Sequence, residues 1–173
     1  TMYNPVQSIQ NRIALPEGYQ RMALPKGSFG EWLRGLPLKP GKPKVMLYNG
    51  QEKTNQEAQF AVMDIDVGKR DLQQCADAVM RLRGEYLFST DQFDAIHFNF
   101  TNGEPCTWNK WREGYRPSFA GNKTTWTKKA QPSDSHESFR AYMDMVFMYA
   151  GTASLEKELP RIGTLKELQI GDV

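Results

Sequence analysis

Two carboxylates two positions apart, Asp64 and Asp66, and an imidazole and amide with the same spacing, His97 and Asn99, are the side chains best suited to acid–base chemistry in this sequence. Each pair lies in a run of alternating polarity. In "AQFAVMDIDVG", Ala61, Met63, Ile65 and Val67 fall on one side and Val62, Asp64 and Asp66 on the other; in "AIHFNFT", Ile96, Phe98 and Phe100 oppose His97 and Asn99. That period of two is the mark of half-buried strands. If the two strands are neighbours in a parallel crossover, the four polar groups share one patch, since same-face residues two apart lie about 7 Å from each other. Close carboxylates raise one another's pKa, and an imidazole beside them can share the proton, which is what general acid–base chemistry uses. The alternative is a solvated sheet face.

The thiols offer less. Cys75 falls on the apolar stripe of an expected helix and reads as a core residue, and Cys106, beside Pro105, reads as a loop thiol. His136 lies in "SDSHES" and reads as a solvated first-turn residue. No His or Cys spacing matches a metal motif, and neither a metal nor a cofactor is implied.

A third group of residues points to binding. The stretch "WNKWREGYRPSFAGNKTTWTKK" interleaves aromatic rings with six bases against one acid, Glu113. Rings stack on sugars or bases, and Arg and Lys steer anions. Trp108, Trp111, Arg112, Tyr115, Arg116 and Trp126 are therefore the expected ligand surface, for polysaccharide or peptidoglycan fragments before nucleic acid. The competing reading is that the tryptophans anchor a long connection to the core.

These groups must be held by a framework. "SFGEWLRGL" reads as a short helix capped by Ser28, with Glu31 three residues on; "YQRMAL" and "VMLYNG" read as short strands. "RDLQQCADAVMRLRGEYLF" reads as a helix with Asp71 as N-cap and apolar positions at Leu72, Cys75, Val79, Leu82 and Tyr86. "SHESFRAYMDMVFMYAG" reads as a second, with Ser135 as N-cap, an apolar band through Phe139, Tyr142, Val146 and Tyr149, and Gly151 as C-cap. The expected fold is one α+β domain over 1–173, with a central sheet from residues 45–48, 58–67 and 95–100 packed on helices near 71–88 and 136–150. At 173 residues with net charge +2, the chain has enough length for a real core and no global attraction to nucleic acid or anionic lipid. No run reaches the roughly 18 apolar residues that cross a bilayer.

The strings "GKRDLQQCADAVMRLRGEYLF", "IHFNFTNG", "KWREGYRP" and "FRAYMDMVFMYAGTASLEKEL" resemble an uncharacterised family of bacterial, exported proteins, the domain of unknown function numbered 4846. The resemblance covers the chain from about Phe29 onward. It implies an exported location, periplasmic, lipid-anchored or extracellular, and no particular activity. It also implies that members run on past Gly171, Asp172 and Val173 with a strand, a Gly-rich turn and a Gly-His pair, so the chain is expected to lack the family's C-terminal third. "SFRAYMDMVFMYAGTASL" followed by "LKELQIGDV" further resembles the nucleophile helix and Gly-Asp strand of papain-like cell-wall peptidases. Where those enzymes carry cysteine, this chain carries Ser138 and Phe139, and their histidine would lie beyond Val173. A papain-like topology is thus implied, with its catalytic partner absent from these residues. The two functional readings are an envelope protein of that topology and a glycan-binding module using 108–129.

Overall fold

The computed structural model of the chain describes residues 6–173. The class is α+β, and the chain divides into two compact units: residues up to Asp71 together with Thr164–Val173, and Leu72–Gly163.

The first unit holds little regular structure. Helix α1 spans Ile9–Arg12 and α2 spans Phe29–Arg34. The expected cap of α2 is present: Glu31 N–H donates to Ser28 Oγ (3.3 Å), and Glu31 Oε2 accepts from Gly27 N–H (2.5 Å). The strands expected at 19–24, 45–48 and 58–67 are not formed; Met46 makes a single bridge with Glu52, and Met63 a single bridge with Leu38. Alternation does survive at 63–66, where Met63 and Ile65 are partly buried and Asp64 and Asp66 exposed. What is missing is a ladder partner. Leu38 and Lys39 lie between Pro37 and Pro40, which have no N–H to give, so pairing stops after Lys39 N–H bonds Val62 O and Asp64 N–H bonds Pro37 O, both at 2.8 Å. Near the chain end, Leu165–Glu167 is a single 3-10 turn.

The second unit carries the core. Helix α3 spans Cys75–Ser89. Its cap is Gln74, not Asp71, with Gln74 N–H donating to Asp77 Oδ2 (3.0 Å). The inward face is also not the one that apolar spacing picks out. Asp77, Arg81 and Glu85, four apart, are buried beside Met80, Gly84, Tyr86 and Leu87, while Cys75 is exposed. Gly84 permits close packing, since a Cβ there would meet Met143 Sδ at 3.1 Å and Phe139 Cζ at 3.2 Å.

Strand β1, His97–Asn99, has the expected facing: Ile96, Phe98 and Phe100 are buried and His97 is exposed. Its partner is β2, Pro105–Thr107, antiparallel with Phe98 opposite Cys106, so the parallel crossover with 58–67 does not form. Gly103, at φ +87°, lets the chain reverse at once, and the partner just beyond that turn closes a far shorter loop than the segment 58–67 would. Helix α4, Trp108–Arg112, leads into an antiparallel hairpin of β3, Tyr115–Ala120, and β4, Lys123–Lys128, joined by Gly121 and Asn122. The two small sheets replace the expected central one.

Helix α5, His136–Tyr149, starts as expected, with Ser138 N–H donating to Ser135 Oγ (3.2 Å). It ends at Ala150, and Gly151 instead opens a further helix, α6, Thr152–Glu158. Phe139, Tyr142, Met143 and Val146 of α5 are wholly buried with Trp108, Ile96, Phe100 and Met80. Trp108 meets Phe88, Phe139 and Tyr142 edge-on at centroid distances of 5.6–5.9 Å.

Candidate functional site

The four polar residues singled out for acid–base chemistry are not brought together by neighbouring strands. Asp64 and Asp66 belong to the first unit, where Asp66 Oδ1 accepts from Gly68 N–H (3.0 Å) and closes a turn. His97 and Asn99 belong to the second unit, and the carboxylate that meets them comes from α6: Glu158 Oε1 lies 3.5 Å from His97 Nε2, and Glu158 Oε2 accepts from Asn99 N–H at 2.9 Å. Asn99 thus contributes its backbone to that carboxylate.

The thiols exchange places relative to expectation. Cys106 is wholly buried and Cys75 exposed, and both are free. Burial pushes the Cys106 thiol well above its usual range, so it is neither a nucleophile nor a ligand at ordinary pH.

The aromatic-basic residues take up one another. Trp108 is 0% exposed and Trp111 is buried too, and neither indole N–H has a hydrogen-bond partner. Arg116 lies 3.8 Å over the Trp111 ring, donates to Trp111 O (2.8 Å) and Tyr115 O (2.7 Å), and is lowered in pKa by burial. Arg112 covers Phe93, Lys110 covers Trp126, and Lys128 lies over Tyr115. A ring buried in the core, or already faced by one of the protein's own cations, has little free face for a ligand. Trp108 and Trp111 are therefore anchors of the segment, as the competing sequence reading held.

The open aromatic surface is at the tip of the β3–β4 hairpin. Phe100, Thr101, Asn102, Phe119, Gly121, Asn122 and Tyr149 line a cleft of about 470 Å³. Phe119 and Tyr149 stack at 3.9 Å with planes 21° apart, and Tyr149 keeps 41% of its surface exposed. The cleft is held together by polar contacts. Asn102 Nδ2 donates to Asn122 O (3.0 Å) and Thr124 Oγ1 (2.9 Å), tying the β1–β2 turn to the hairpin tip, and Thr101 N–H donates to Tyr149 O (2.9 Å). Among the described residues, neither the Tyr149 hydroxyl nor the Asn122 side-chain amide has a hydrogen-bond partner. A flat apolar wall with a hydroxyl and an amide at its rim can hold a ring that is apolar on its face and polar at its edge. No charged side chain lines it.

Phe119, Gly121 and Asn122 lie within the aromatic-basic stretch but outside the six residues expected to bind, Phe100, Thr101, Asn102 and Tyr149 lie outside the stretch, and Tyr149 reads as core from helical spacing alone. The overlooked signal is the Gly121-Asn122 pair between "YRPSFA" and "KTTWTK", a two-residue hairpin turn that places Phe119 near a tip. Among the described residues no group of three or more His, Cys, Asp or Glu is placed to hold a metal, and no helix is long and apolar enough to cross a membrane. No curated protein and no solved structure matches the chain. The sequence profile of one family, described as a domain of unknown function (4846), matches residues 9–173, and the chain belongs to that family.

Proposed function

We propose that this chain is a glycan-binding module of an exported bacterial cell-envelope protein, with polysaccharide or peptidoglycan fragments as ligands and the hairpin-tip cleft as the site. The observation that carries this reading is the exposed Tyr149 stacked on Phe119 beside Asn102 and Asn122. One sugar face lies on the Tyr149 ring, and ring hydroxyls or an acetamido group meet the Tyr149 hydroxyl and the Asn122 amide. Because the lining is uncharged, neutral sugars are favoured over nucleic acid or other polyanions. The bacterial and exported setting rests on the resemblance of the quoted strings. A papain-like origin belongs to the same reading through the α5 segment ending at Ala150 and Gly151; papain-like catalysis does not, because Ser138 on the first turn of α5 has no imidazole among its hydrogen-bond partners.

The test is calorimetric titration with neutral chitin and peptidoglycan oligosaccharides at low and high salt. A dissociation constant of about 1 mM or tighter is expected, unchanged by salt and weakened at least tenfold in Tyr149→Ala. Absence of binding, or binding indifferent to Tyr149→Ala, would refute the reading.

A further inference from the structure

Arg81 and Glu85 lie buried on the inward face of α3, and Glu85 meets a half-exposed histidine. Arg81 and Glu85 are 2% and 4% exposed. Arg81 Nε donates to Glu85 Oε1 at 2.7 Å, and Arg81 Nη1 donates to Gln73 Oε1 at 3.0 Å. The second oxygen, Glu85 Oε2, lies 2.9 Å from His136 Nε2, and the His136 side chain is 54% exposed. Phe88 (5.5 Å) and Phe139 (5.9 Å) flank the imidazole. Gln73, Arg81, Glu85 and His136 thus form a chain of contacts running from a buried cation to a half-open ring.

A carboxylate accepts and cannot donate, so its bond to Nε2 holds the ring proton on that nitrogen and leaves Nδ1 with its lone pair. Arg81 holds the Glu85 carboxyl group in place through its Nε bond, and Glu85 in turn fixes the tautomer and orientation of the ring. His97 makes a useful internal comparison. Its carboxylate contact is longer, at 3.5 Å, and the other oxygen of Glu158 is committed to Asn99 N–H.

We propose that His136 is a catalytic general base for hydrolysis of acyl esters, with Glu85 as its positioning residue. In this step His136 Nδ1 takes a proton from a water molecule as the water oxygen bonds to the ester carbonyl carbon. The tetrahedral adduct then collapses, the carbon–alkoxide bond breaks, and the proton on Nδ1 passes to the departing alkoxide. One ester and one water give one acid and one alcohol, and the imidazole is restored. Glycosidic cleavage fits this site poorly, because it calls for two carboxyl groups flanking the bond and the Glu85 carboxyl group is committed to Arg81 and His136. Esters, with a better leaving group than amides, are within reach of one well-placed base. The inference uses no residue of the hairpin-tip cleft, so either can fail without the other.

The probe is p-nitrophenyl acetate with the full chain. Hydrolysis above the buffer rate is expected to fall at least tenfold in His136→Asn and to persist in His97→Asn. Glu85→Gln is expected to lower kcat about tenfold with KM little changed and to alter the pH profile, and Glu85→Asp to recover part of the loss. Should Glu85→Gln fail to fold, nitrogen-15 NMR of the wild-type chain still decides the positioning role: at a pH where the imidazole is neutral, His136 is expected to carry its proton on Nε2. A proton on Nδ1, a wild-type rate no greater than buffer, or an undiminished rate in His136→Asn would each overturn the proposal.

Discussion

Cys106 and Tyr142 meet in the core, where the Tyr142 hydroxyl donates to the Cys106 carbonyl at 2.7 Å. Burial pushes both ionisable groups upward, Cys106 from 9.0 and Tyr142 from 10.0. The folded chain therefore keeps two protons that the unfolded chain releases in alkali. Their contribution is complete below about pH 9 and is lost as pH rises past the unfolded values, at about 1.4 kcal/mol per pH unit for each group. Denaturant unfolding between pH 8 and 11 is expected to show this decline, and Cys106→Ala, though less stable at neutrality, should show a shallower one. A thiol reagent such as Ellman's should titrate one cysteine, Cys75, in the native chain and two after unfolding. At this scale the sequence misleads where a residue's type is ambivalent. A cysteine suits either an apolar face or a loop, and nothing in the spacing of Trp108 and Trp111 separates a ligand platform from a core anchor; only the burial of both rings, and Arg116 lying over Trp111, do so.

Gly114 shows what one turn residue does for an element. It sits at φ +96° between α4 and β3, and a Cβ there would lie 2.1 Å from the Ala130 carbonyl oxygen. Its own N–H bonds Trp111 O, and its carbonyl accepts from Lys129 and Ala130. Gly114→Ala is thus opposed by both conformation and space, and a loss of about 2–4 kcal/mol is expected by chemical denaturation. Gly121→Ala, with nothing within 4 Å of the added carbon, should cost about 1 kcal/mol through its positive φ alone. The elements themselves were unequally legible. The segment of α5 could be read because Ser135 caps it and its apolar residues recur at helical spacing. The buried face of α3 could not, because Asp77, Arg81 and Glu85 lie on it, and hydrophobic periodicity assigns such residues to solvent. Residues 58–67 have the alternation of a strand, but a strand also needs a partner with free N–H groups, and that condition is invisible within the segment.

The whole molecule is two compact units, and one of them, Leu72–Gly163, contains most of the helix, both hairpins and the aromatic core. A fragment of residues 72–163 is expected to fold unaided, with helical circular dichroism and a cooperative melt; a fragment without a melting transition would contradict its independence. The α+β class was legible from the mixture of periods, whereas the division into units was not, because the chain leaves the first unit at Asp71 and returns to it at Thr164. Within the larger unit, the indole protons of Trp108 and Trp111 face no acceptor and no solvent. Without a local hydrogen bond to break, their replacement by deuterium waits on water reaching the core itself. These two protons act as clocks that no surface fluctuation can advance, and their exchange rates report the opening of residues 72–163 directly, in the native chain and without denaturant.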